Sequence, residues 1–519
     1  MLLDIPQNVM ADIMSHHAYH FPGKTALVFD EQRLTWGEMI RGINRVANRL
    51  LAAGVEKGDK VCFLMATSAD YFLLLFGAMR AGASAVPLSS LLSPEQLLGL
   101  IADAGATFLF TDEANRHLLS PIEDRLESVR PDGFFTTEAS GRWACFPAWL
   151  AGSSEAEPPV RLMLDDEATI SYSSGTTGTP KGVVYSHRAR FHLALAYAWH
   201  MKADGDAVGI ATTPLYSNGT SIIMFPVLFA GGTMIFMKAF DARAFLETVA
   251  RERVTHTFMV PTQFVKILEE PSLARCDLSS MQLFVTAGSP MRLDTKRAFT
   301  AAVGPRLAEL YGLSEGGVAM IRPDEMRKRP DSAGKPLPGF EARILGPNDA
   351  ELPRGEVGEI AFYGGWAMRG YQNQPEQTAS VIWRDTRGRS FVRSGDIGRM
   401  DDEGYLYVMD RKKDMIISGG FNVFPVDIEA VLAQHPSVEE VAVIGVSHRL
   451  WGESPLGLVV LRPGHQVEAE ALRLWANQRL AKTQRLAAVV FREQLTRNAL
   501  GKVQKAALRV EYAGYRLPG

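Results

Sequence analysis

The segment YSSGTTGTPKGV, residues 172–183, concentrates hydroxyl side chains, glycines, a proline and a lysine. Helix and strand interiors tolerate such a mixture poorly, so the segment is predicted to be a loop. Glycines let a backbone approach a ligand closely, and free backbone N–H groups can satisfy the oxygens of an anion. Thr176 and Thr177 add side-chain donors, and Lys181 adds positive charge. The loop is therefore predicted to bind phosphate, and a solvent-exposed turn is the alternative interpretation.

The loop differs from the P-loop of nucleoside triphosphatases. That motif reads G-x-x-x-x-G-K followed by Ser or Thr. Five residues after Gly175 stands Pro180 instead of a glycine, and Lys181 is followed by Gly182. The site therefore need not transfer a γ-phosphoryl group, and a different type of triphosphate site is expected.

The composition is that of a globular chain with more than one domain. The chain has 519 residues, 46% hydrophobic and 22% charged, whereas single cores stop growing at roughly 250–300 residues. Its 55 basic and 58 acidic residues give a formal net charge of −3. This balance does not favour nucleic acid or an anionic membrane as a partner. Small-molecule partners are expected, and the sequence is compatible with a homodimer.

Three features of the sequence predict a cytoplasmic location. The N-terminal residues 1–10 have no basic region followed by an apolar core, so a secretory signal is not expected. The most apolar stretch, residues 221–236, is interrupted by Pro226 and is shorter than the roughly 20 residues of a membrane-spanning helix. The 3 cysteines are too far apart for a disulfide framework or a metal knuckle.

Apolar patterns with helical spacing alternate with short β-branched or aromatic runs through most of the chain. Examples are YFLLLFGAMRAGA (71–83), VTHTFMV (254–260) and MQLFVTAG (281–288). This alternation predicts an α/β fold in which helices flank parallel or mixed sheets. Residues 331–410 are richer in glycine and short strands, which predicts a β-rich subdomain, and residues 415–519 are predicted to form a small α+β domain.

Seven motifs of the chain, in their order, resemble one enzyme superfamily. SSGTTGTPKG (173–182) resembles the phosphate loop of the adenylate-forming superfamily, which includes acyl- and aryl-CoA synthetases, adenylation domains and beetle luciferases. The resemblance covers nearly the whole chain, and the other motifs are TPLYSNG (213–219), TAGSPM (286–291), YGLSE (311–315), SGDIG (394–398), DRKKDMIISGGFNVFPVDIE (410–429) and RNALGK (497–502). Together these motifs are highly specific.

The resemblance implies a two-domain enzyme. Residues 1–410 would form a large AMP-binding (adenylation) domain, and residues 415–519 a small, mobile C-terminal domain that carries a catalytic lysine. Residues 411–414 would form the hinge, with Lys413 as the residue about which the small domain turns.

The resemblance also assigns residues to ATP and Mg²⁺. Glu315 and Thr176 would hold Mg²⁺, which prefers oxygen ligands. Asp396 would accept hydrogen bonds from the ribose, Arg411 would donate to ribose or phosphate, and Tyr311 would stack on adenine. The implied nucleotide-binding residues are Ser173, Ser174, Gly175, Thr176, Thr177, Gly178, Thr179, Lys181, Gly288, Ser289, Pro290, Tyr311, Gly312, Ser314, Asp396 and Arg411.

Lys502 would catalyse the first half-reaction. When a carboxylate attacks the α-phosphate and pyrophosphate leaves, negative charge accumulates, and a positioned ammonium group stabilises it. Thr176 and Glu315 complete the implied catalytic set. In a second domain orientation, Gly419 and Gly420 would line the tunnel for the pantetheine arm of CoA, where glycine allows a close approach.

The acyl pocket is predicted from the same resemblance. Ser217 stands where many acyl-CoA synthetases have a histidine that lines this pocket, and Ser314 replaces a threonine but keeps its hydroxyl. The pocket segments are apolar with small polar interruptions, which indicates an apolar-tailed acid, aryl or alkyl, rather than a dicarboxylate that needs a buried cation. The predicted lining residues are Tyr216, Ser217, Asn218, Ala287, Gly316 and Met320.

The thiol acceptor is the open point of the sequence. Gln484 and Leu486 stand where the family usually has a lysine and a proline that help to seat CoA, so that Lys482 or Arg485 would have to bind the CoA phosphates instead. The primary prediction is an ATP-dependent acid:CoA ligase that forms acyl-AMP and then acyl-CoA. An acyl-AMP ligase that loads a separate carrier protein is the alternative.

A third hypothesis is a catalytically silent nucleotide-binding protein. Such a protein would be expected to have lost Lys502, Glu315 or Asp396, and all three are present. The sequence therefore favours an active enzyme that uses ATP, Mg²⁺ and CoA.

Overall fold

The structure is a computed structural model that describes residues 8–173, 181–418, 421–448, 450–497 and 503–515. Contacts within the chain divide it into two compact units, of which unit 1 comprises Met1–Ala342 and Phe362–Val392, and unit 2 comprises Arg343–Ala361 and Arg393–Gly519. The hinge predicted at residues 411–414 lies inside unit 2, and a domain boundary at that point stays a prediction.

The strands follow one another in chain order as β1 (Thr25–Phe29), β2 (Gln32–Thr35), β3 (Lys60–Leu64), β4 (Ser84–Pro87), β5 (Phe108–Thr111), β6 (Phe134–Thr136), β7 (Ala144–Cys145), β8 (Glu167–Ser173), β9 (Lys181–Ser186), β10 (Val208–Ala211), β11 (Thr233–Phe236), β12 (His256–Met259), β13 (Leu283–Thr286), β14 (Leu307–Gly312), β15 (Val318–Ile321), β16 (Lys335–Pro336), β17 (Phe340–Leu345), β18 (Val357–Gly364), β19 (Gly370–Tyr371), β20 (Ile382–Arg384), β21 (Ser390–Met400), β22 (Leu406–Arg411), β23 (Ile416–Ser418), β24 (Phe421–Val423), β25 (Val438–His448), β26 (Gly452–Leu461) and β27 (Ala488–Phe491).

The α-helices are α1 (Met10–His20), α2 (Trp36–Ala52), α3 (Ala69–Arg80), α4 (Pro94–Ala104), α5 (Glu113–Leu119), α6 (Phe146–Leu150), α7 (His187–Met201), α8 (Ser221–Phe229), α9 (Ala242–Glu252), α10 (Pro261–Glu269), α11 (Leu293–Val303), α12 (Pro323–Met326), α13 (Pro375–Ser380), α14 (Pro425–Leu432), α15 (Ala469–Asn477) and α16 (Lys505–Glu511).

Unit 1 is built around two large sheets. The first has the strand order β16-β15-β14-β13-β12-β10-β11-β1-β2, and its strands from β14 to β1 are parallel. The second has the order β19-β9-β8-β4-β3-β5-β6-β7, in which β9 and β19 are antiparallel additions to a parallel set. All residues of β12 and β13 are buried, as expected for parallel strands covered by helices on both faces.

The parallel strands of the first sheet end at the predicted motifs. β10 ends at Ala211, two residues before TPLYSNG, β13 ends at Thr286, the first residue of TAGSPM, and β14 ends at Gly312 within YGLSE. Ligands of open α/β sheets bind beyond the carboxyl ends of the strands. The strand order therefore brings three separate motifs to one edge of the sheet.

Helix α7 carries unusual side chains on its buried face. The Ser186 hydroxyl caps its N-terminus by accepting the Ala189 N–H at 3.2 Å. His187, Arg190 and Tyr197 then lie on the side of the helix that packs into the core. Arginine is almost never fully buried unless it is paired. The buried face of α7 therefore differs from that of an ordinary core helix in carrying a charged residue.

A third sheet has the order β17-β18-β21-β20, with β22 paired to β21. The β-rich character predicted for residues 331–410 is confirmed.

In unit 2, a sheet with the order β24-β23-β26-β25 has β27 added parallel to β26. Its core includes Ile416, Leu432 and Val443. The small α+β fold predicted for the C-terminal region is confirmed.

Several local predictions can be compared directly with the structure. The apolar stretch 221–236 forms the buried helix α8 and the buried strand β11, as the core interpretation requires. Cys62, Cys145 and Cys276 are free thiols. Across the described ranges, every helix is too short or too polar to cross a membrane.

Candidate active site

Glu315 follows strand β14 and is half-buried. The Tyr371 hydroxyl donates a hydrogen bond to Glu315 Oε1 at 2.8 Å, and the Met368 N–H donates to the Glu315 carbonyl at 3.0 Å. Burial, and then the adjacent carboxylate, raise the pKa of Tyr371, so the phenol stays protonated and remains a donor. One carboxylate oxygen of Glu315 is thereby held, and the other has no hydrogen-bond partner among the described residues.

Lys181 lies beside the same tyrosine. Its Nζ is 4.8 Å from the centroid of the Tyr371 ring, which is a cation–π distance. Lys181 begins β9, and β9 pairs with β19 through Val183 and Tyr371. Tyr371 therefore contacts both a cation predicted to bind phosphate, through its ring, and a carboxylate predicted to bind Mg²⁺, through its hydroxyl.

Ser314 is fixed through its backbone. Its carbonyl accepts a hydrogen bond from the buried Tyr185 hydroxyl at 2.5 Å, and the same hydroxyl accepts the Asn218 side-chain amide at 3.2 Å. Burial raises the pKa of Tyr185, which keeps this donor protonated. A predicted acyl-pocket residue and the YGLSE motif are thus joined by a single tyrosine.

Arg190 extends this network. Its guanidinium donates to Asn218 Oδ1 at 3.1 Å and to Thr169 Oγ1 at 2.9 and 2.6 Å. Its Cζ is 4.0 Å from the centroid of the Tyr185 ring. Burial lowers the pKa of Arg190 to about 10, so the side chain is still charged at neutral pH. We refer to Arg190, Tyr185, Asn218, Ser314, Glu315 and Tyr371 as the unit 1 network.

The motif TAGSPM (286–291), which carries three predicted nucleotide-binding residues, is tied to β14. The Met291 N–H donates to Glu309 Oε1 at 3.0 Å, and Lys296 forms an ion pair with the other carboxylate oxygen. Residues 288–290, which include three predicted nucleotide contacts, are exposed. The hydrogen bond from Met291 to Glu309 therefore fixes the end of a segment whose middle is accessible.

Tyr311 and Gly312 form the end of β14. Tyr311 is half-buried, and its ring centroid is 5.9 Å from that of Phe362. Gly312 is exposed. The tyrosine ring thus packs against a neighbour, and adenine stacking by this residue stays a prediction.

Asp396 and Arg411, both in unit 2, are brought together by strand pairing. The two residues are direct partners in the β21–β22 ladder, and Arg411 Nε lies 2.7 Å from Asp396 Oδ1. Asp396 is buried, whereas 37% of the Arg411 side chain is exposed. Asp396, assigned to the ribose, and Arg411, assigned to ribose or phosphate, therefore form one ion pair. Lys413, the predicted hinge residue, is exposed.

The predicted acyl-pocket residues differ in burial. Ala287 and Met320 are buried apolar residues, whereas residues 216–218 are half-buried. The Ser217 hydroxyl accepts the Gly219 N–H at 3.3 Å and so caps a short turn. A local structural role thus accompanies the serine that replaces the family's histidine.

Gly316 adopts a left-handed backbone conformation, with φ of +127°, and a Cβ added to it would lie 2.7 Å from the Ala367 Cα. A larger residue at position 316 would therefore be both strained and in collision with the neighbouring chain. This close approach explains the glycine without a ligand, and its contact with the acyl group stays a prediction.

The segment predicted to meet CoA is anchored within unit 2. The Gln484 side chain donates to Asp427 Oδ2 at 2.9 Å. Leu486 is buried, and its N–H donates to Asn477 Oδ1 at 2.8 Å. Lys482 and Arg485 are exposed, so both cations are available to an anionic ligand.

The remaining predicted residues lie outside the described part of the chain, so their assignments stay predictions. They are the side chain of Ser173, together with Ser174, Gly175, Thr176, Thr177, Gly178, Thr179, Gly419, Gly420 and Lys502.

Three residues of the unit 1 network were not identified from the sequence. Tyr185 and Arg190 follow the phosphate loop, and Tyr371 lies far beyond it. Tyr371 is 56 residues from Glu315, and Tyr185 is 129 residues from Ser314. A local signal was a charged residue within a largely apolar helix, at Arg190.

The side chains present fit ATP with Mg²⁺. Glu315 offers an oriented carboxylate beside the Lys181 ammonium group, and Mg²⁺ is usually bound by one or two carboxylates together with substrate phosphates. Asp396 and Arg411 offer an acceptor and a donor of the kind that ribose and phosphate require.

Comparison with known proteins gives one consistent result. Residues 14–372 match the AMP-binding enzyme family, and residues 427–502 match the AMP-binding enzyme C-terminal domain. The feruloyl-CoA synthase of an Amycolatopsis species is 33% identical over 492 residues, which cover 94% of this chain and 96% of that protein. The fatty acid–[acyl-carrier-protein] ligase ScoC of Streptomyces coeruleorubidus is 31% identical over 511 residues, covering 96% of each.

The fold is shared with a solved ligand complex. The crystal structure of ATP-bound MatB from Rhodopseudomonas palustris superposes with a TM-score of 0.87 and 31% identity, over 97% of this chain and 99% of that chain. Family match, identity and fold agree over nearly the full length. The chain therefore belongs to the AMP-binding enzyme family of the adenylate-forming superfamily, as an AMP-forming acid:CoA ligase that uses ATP, Mg²⁺ and CoA.

Proposed function

We propose that this ligase activates an apolar-tailed carboxylic acid, fatty or aryl, at the unit 1 network. The observation that carries the proposal is the connection of Glu315 to Asn218 through Ser314 and Tyr185. It joins the residue predicted to hold Mg²⁺ to a residue predicted to line the acyl pocket. The buried Ala287 and Met320 supply apolar surface for the tail.

In the first half-reaction, a carboxylate oxygen of the acid forms a bond to the α-phosphorus of ATP, and the bond to pyrophosphate breaks. Lys181 balances phosphate charge, and Glu315 presents its carboxylate in the orientation set by Tyr371. Mg²⁺, when bound, supplies further neutralisation of the phosphate oxygens. Lys502 stabilises the charge that develops as pyrophosphate leaves. The products are acyl-AMP and pyrophosphate.

In the second half-reaction, the sulfur of CoA bonds to the acyl carbon, the bond to AMP breaks, and the thiol proton is released. The small domain turns about Lys413 between the two steps, so that Gly419 and Gly420 replace Lys502 near the reaction centre. The exposed Lys482 and Arg485 are available to the CoA phosphates.

Loading of a separate carrier protein is the second candidate function. The name of ScoC states an acyl-carrier-protein acceptor. ScoC matches this chain over nearly the same length as the feruloyl-CoA synthase does, and at a similar identity. Gln484 and Leu486 occupy positions with internal structural partners in unit 2. The two candidates differ only in the thiol that receives the acyl group.

Location and assembly are also proposals. A cytoplasmic location is supported by three free cysteines, which are usual in a reducing compartment. The homodimer suggested from the sequence is tested by light scattering over a range of concentrations, in which a single species at 57.0 kDa would contradict it. Small molecules rather than nucleic acid are the proposed partners, because the net charge is only −3.

The decisive experiment measures pyrophosphate release from ATP and Mg²⁺ with alkyl, benzoic, cinnamic and phenylalkanoic acids, with and without CoA. We expect one class of acid to give pyrophosphate and, with CoA, AMP and an acyl-CoA. Lys502→Ala should lose acyl-AMP formation, and Lys238→Ala, at an exposed ion pair, should not. Full activity of Lys502→Ala would contradict its assigned role. Pyrophosphate without any CoA thioester, but with acylation of a phosphopantetheinylated carrier protein, would favour the second candidate.

A further inference from the structure

Arg190 is a buried cation whose described partners carry no negative charge. Only 3% of the residue is exposed. Its guanidinium donates to the hydroxyl oxygens of Thr169 and Ser171 and to the side-chain oxygen of Asn218, and it lies against two aromatic rings. Buried charges are normally paired, because the loss of hydration is otherwise uncompensated. The retention of a charge at this position therefore calls for an explanation beyond packing.

The partners of Arg190 come from three different elements. Nε and one terminal nitrogen donate to Thr169 on β8 at 2.9 and 2.6 Å, and the other terminal nitrogen donates to Asn218 at 3.1 Å. The guanidinium also lies over the ring of Tyr185 on β9, 4.0 Å from its centroid. A planar fork with several fixed donors can hold these groups at once, whereas a single ammonium group cannot.

Both Asn218 and Tyr185 lead to the reaction site. The Asn218 amide donates to the Tyr185 hydroxyl at 3.2 Å, and that hydroxyl donates to the Ser314 carbonyl at 2.5 Å. Ser314 precedes Glu315 in the chain. Arg190 therefore determines the orientation of a predicted acyl-pocket side chain and, through one tyrosine, supports the backbone that carries the predicted metal-binding carboxylate.

We propose that Arg190 is a positioning residue for acid activation, which sets Asn218 and Tyr185 so that the acyl pocket and Glu315 keep a fixed separation. The proposal rests on the proposed function of this site, in which Asn218 lines the pocket and Glu315 holds Mg²⁺. Arg190 itself contacts neither substrate. Its action is on the productive alignment of the acid with ATP.

If Arg190 only held α7 in place, an arginine would not be needed at this position. The Arg190 Cζ also lies 5.5 Å from the centroid of the Phe225 ring. An aliphatic side chain could pack α7 against β8 and this ring without burying a charge, and replacement of buried ionic groups by apolar ones is often neutral or stabilising. The hydrogen bonds to Thr169 and Asn218 are what such a replacement would lose. The two interpretations therefore differ in kinetics as well as in stability.

The test is the steady-state rate of pyrophosphate release by the full-length enzyme, with the acid and ATP varied separately. Arg190→Met should lower kcat for acyl-AMP formation by roughly 10- to 100-fold, because a misalignment of about 1 Å can cost a factor of 100. The KM for ATP should stay nearly unchanged. Arg190→Lys keeps the charge but not the fork, and it should restore little of the lost rate.

Arg80→Met is the matched control. Arg80 is 4% exposed in the same unit, and it donates to the Ala11 carbonyl and to Glu157 rather than to the network. This variant should lower the melting temperature without lowering kcat. If Arg190→Met likewise changes only the melting temperature, or if Arg190→Lys is fully active, positioning by Arg190 is wrong.

A double variant distinguishes transmission through Asn218 from an independent effect. If Arg190 acts through Asn218, Arg190→Met combined with Asn218→Ala should be no slower than the slower single variant. Multiplication of the two losses would overturn the proposal. Should Arg190→Met fail to fold, Thr169→Val removes the acceptor of two Arg190 donors and takes its place, with the same expected loss of kcat.

Failure of the proposed function gives a different result. If wild-type enzyme releases no pyrophosphate with any acid of the panel, the proposed function fails, and with it the basis of the positioning role. If the wild type is active and the Arg190 variants keep its kcat, only the positioning role fails.

Discussion

Arg190 and Arg411 lie in two regions assigned to the same reaction, and their charges are balanced in opposite ways. In unit 2, Arg411 is partly exposed and forms an ion pair with the buried Asp396. In unit 1, Arg190 is buried, and its described partners are neutral oxygens and two aromatic rings. One cation has a charged partner and access to solvent, and the other has neither.

The difference indicates that the two arginines have different roles. A partly exposed cation remains accessible to a substrate group, because part of its guanidinium faces water. A buried cation cannot be released without leaving unsatisfied donors, so its contacts are expected to persist through the reaction. Arg411 is suited to binding, whereas Arg190 is suited to holding other residues in place.

The largest effect is expected at the end of the unit 1 network that meets the metal. Glu315→Gln removes the charge but keeps the size, and kcat for acyl-AMP formation should fall roughly 100-fold or more. Stopped-flow or coupled measurement of pyrophosphate release gives the rate. Tyr371→Phe removes only the hydrogen bond to Glu315 Oε1 and should cost much less. Equal losses in the two variants would show that orientation, rather than charge, is what matters at Glu315.

The ion pair of unit 2 should show a binding effect instead. Asp396→Asn should raise the KM for ATP by roughly 10- to 100-fold, because hydrogen bonds to a charged group contribute about 1.5–3 kcal/mol. The KM for the acid should stay unchanged. With wild-type enzyme, replacing ATP by 2′,3′-dideoxy-ATP should raise the nucleotide KM by a similar factor. Asp396→Asn should have similar KM values for the two nucleotides. A change in kcat alone would contradict the contrast between binding and positioning.

A second buried group on α7 predicts how stability depends on pH. His187 is fully buried, and burial lowers its pKa to about 4, below the value of about 6.5 expected in the unfolded chain. The unfolded state therefore binds more protons between these values, and folding stability should fall as pH falls from about 6.5 towards 4. The contribution of His187 amounts to about 2 kcal/mol between pH 7 and pH 5.

The measurement for His187 compares urea unfolding of the wild type and His187→Gln at the two pH values. Glutamine does not titrate, so the wild type should lose more stability on acidification than the variant does. Other ionisable groups are common to both proteins and cancel in the comparison. An identical pH dependence in the two proteins would contradict a neutral, buried His187.

The smallest effect is expected for an exposed arginine. Arg243 and Glu247 form an ion pair on one face of α9, and both side chains are more than half exposed. Exposed pairs contribute little, because water and salt screen the charges. Arg243→Ala should leave both the melting temperature and the kinetics unchanged within error. A clear loss of activity would mean that burial is not what separates Arg190 from the other arginines.

The fold was largely predictable because it depends on local patterns. Alternating helical and strand periodicities indicate the α/β layers, and the motifs fall at strand ends because parallel strands present their carboxyl ends at one edge. Asp396 and Arg411 were both assigned to the nucleotide, and the β21–β22 ladder brings them together. Their contact itself could not be read from the sequence, because it depends on the register of pairing.

The unit 1 network was predictable only in part. Glu315 and Asn218 lie in motifs, but Tyr185, Arg190 and Tyr371 are defined by contacts between distant parts of the chain. The sequence places Arg190 in a largely apolar helix, yet it does not identify the oxygens that accept its hydrogen bonds. Long-range partners of this kind appear only when the sheets are assembled.

The phosphate loop connects two neighbouring strands of one sheet. β8 and β9 are antiparallel, and Ser173 pairs with Lys181 across the ladder. Whatever path the residues between them take, its two ends stay about 5 Å apart. The sheet thus already holds the two ends of the loop together, so nucleotide binding does not have to bring them close. The entropic cost of ordering the loop on a nucleotide is limited to the residues between these ends. Insertions or deletions at its centre should alter nucleotide affinity long before they alter the cooperative unfolding of unit 1.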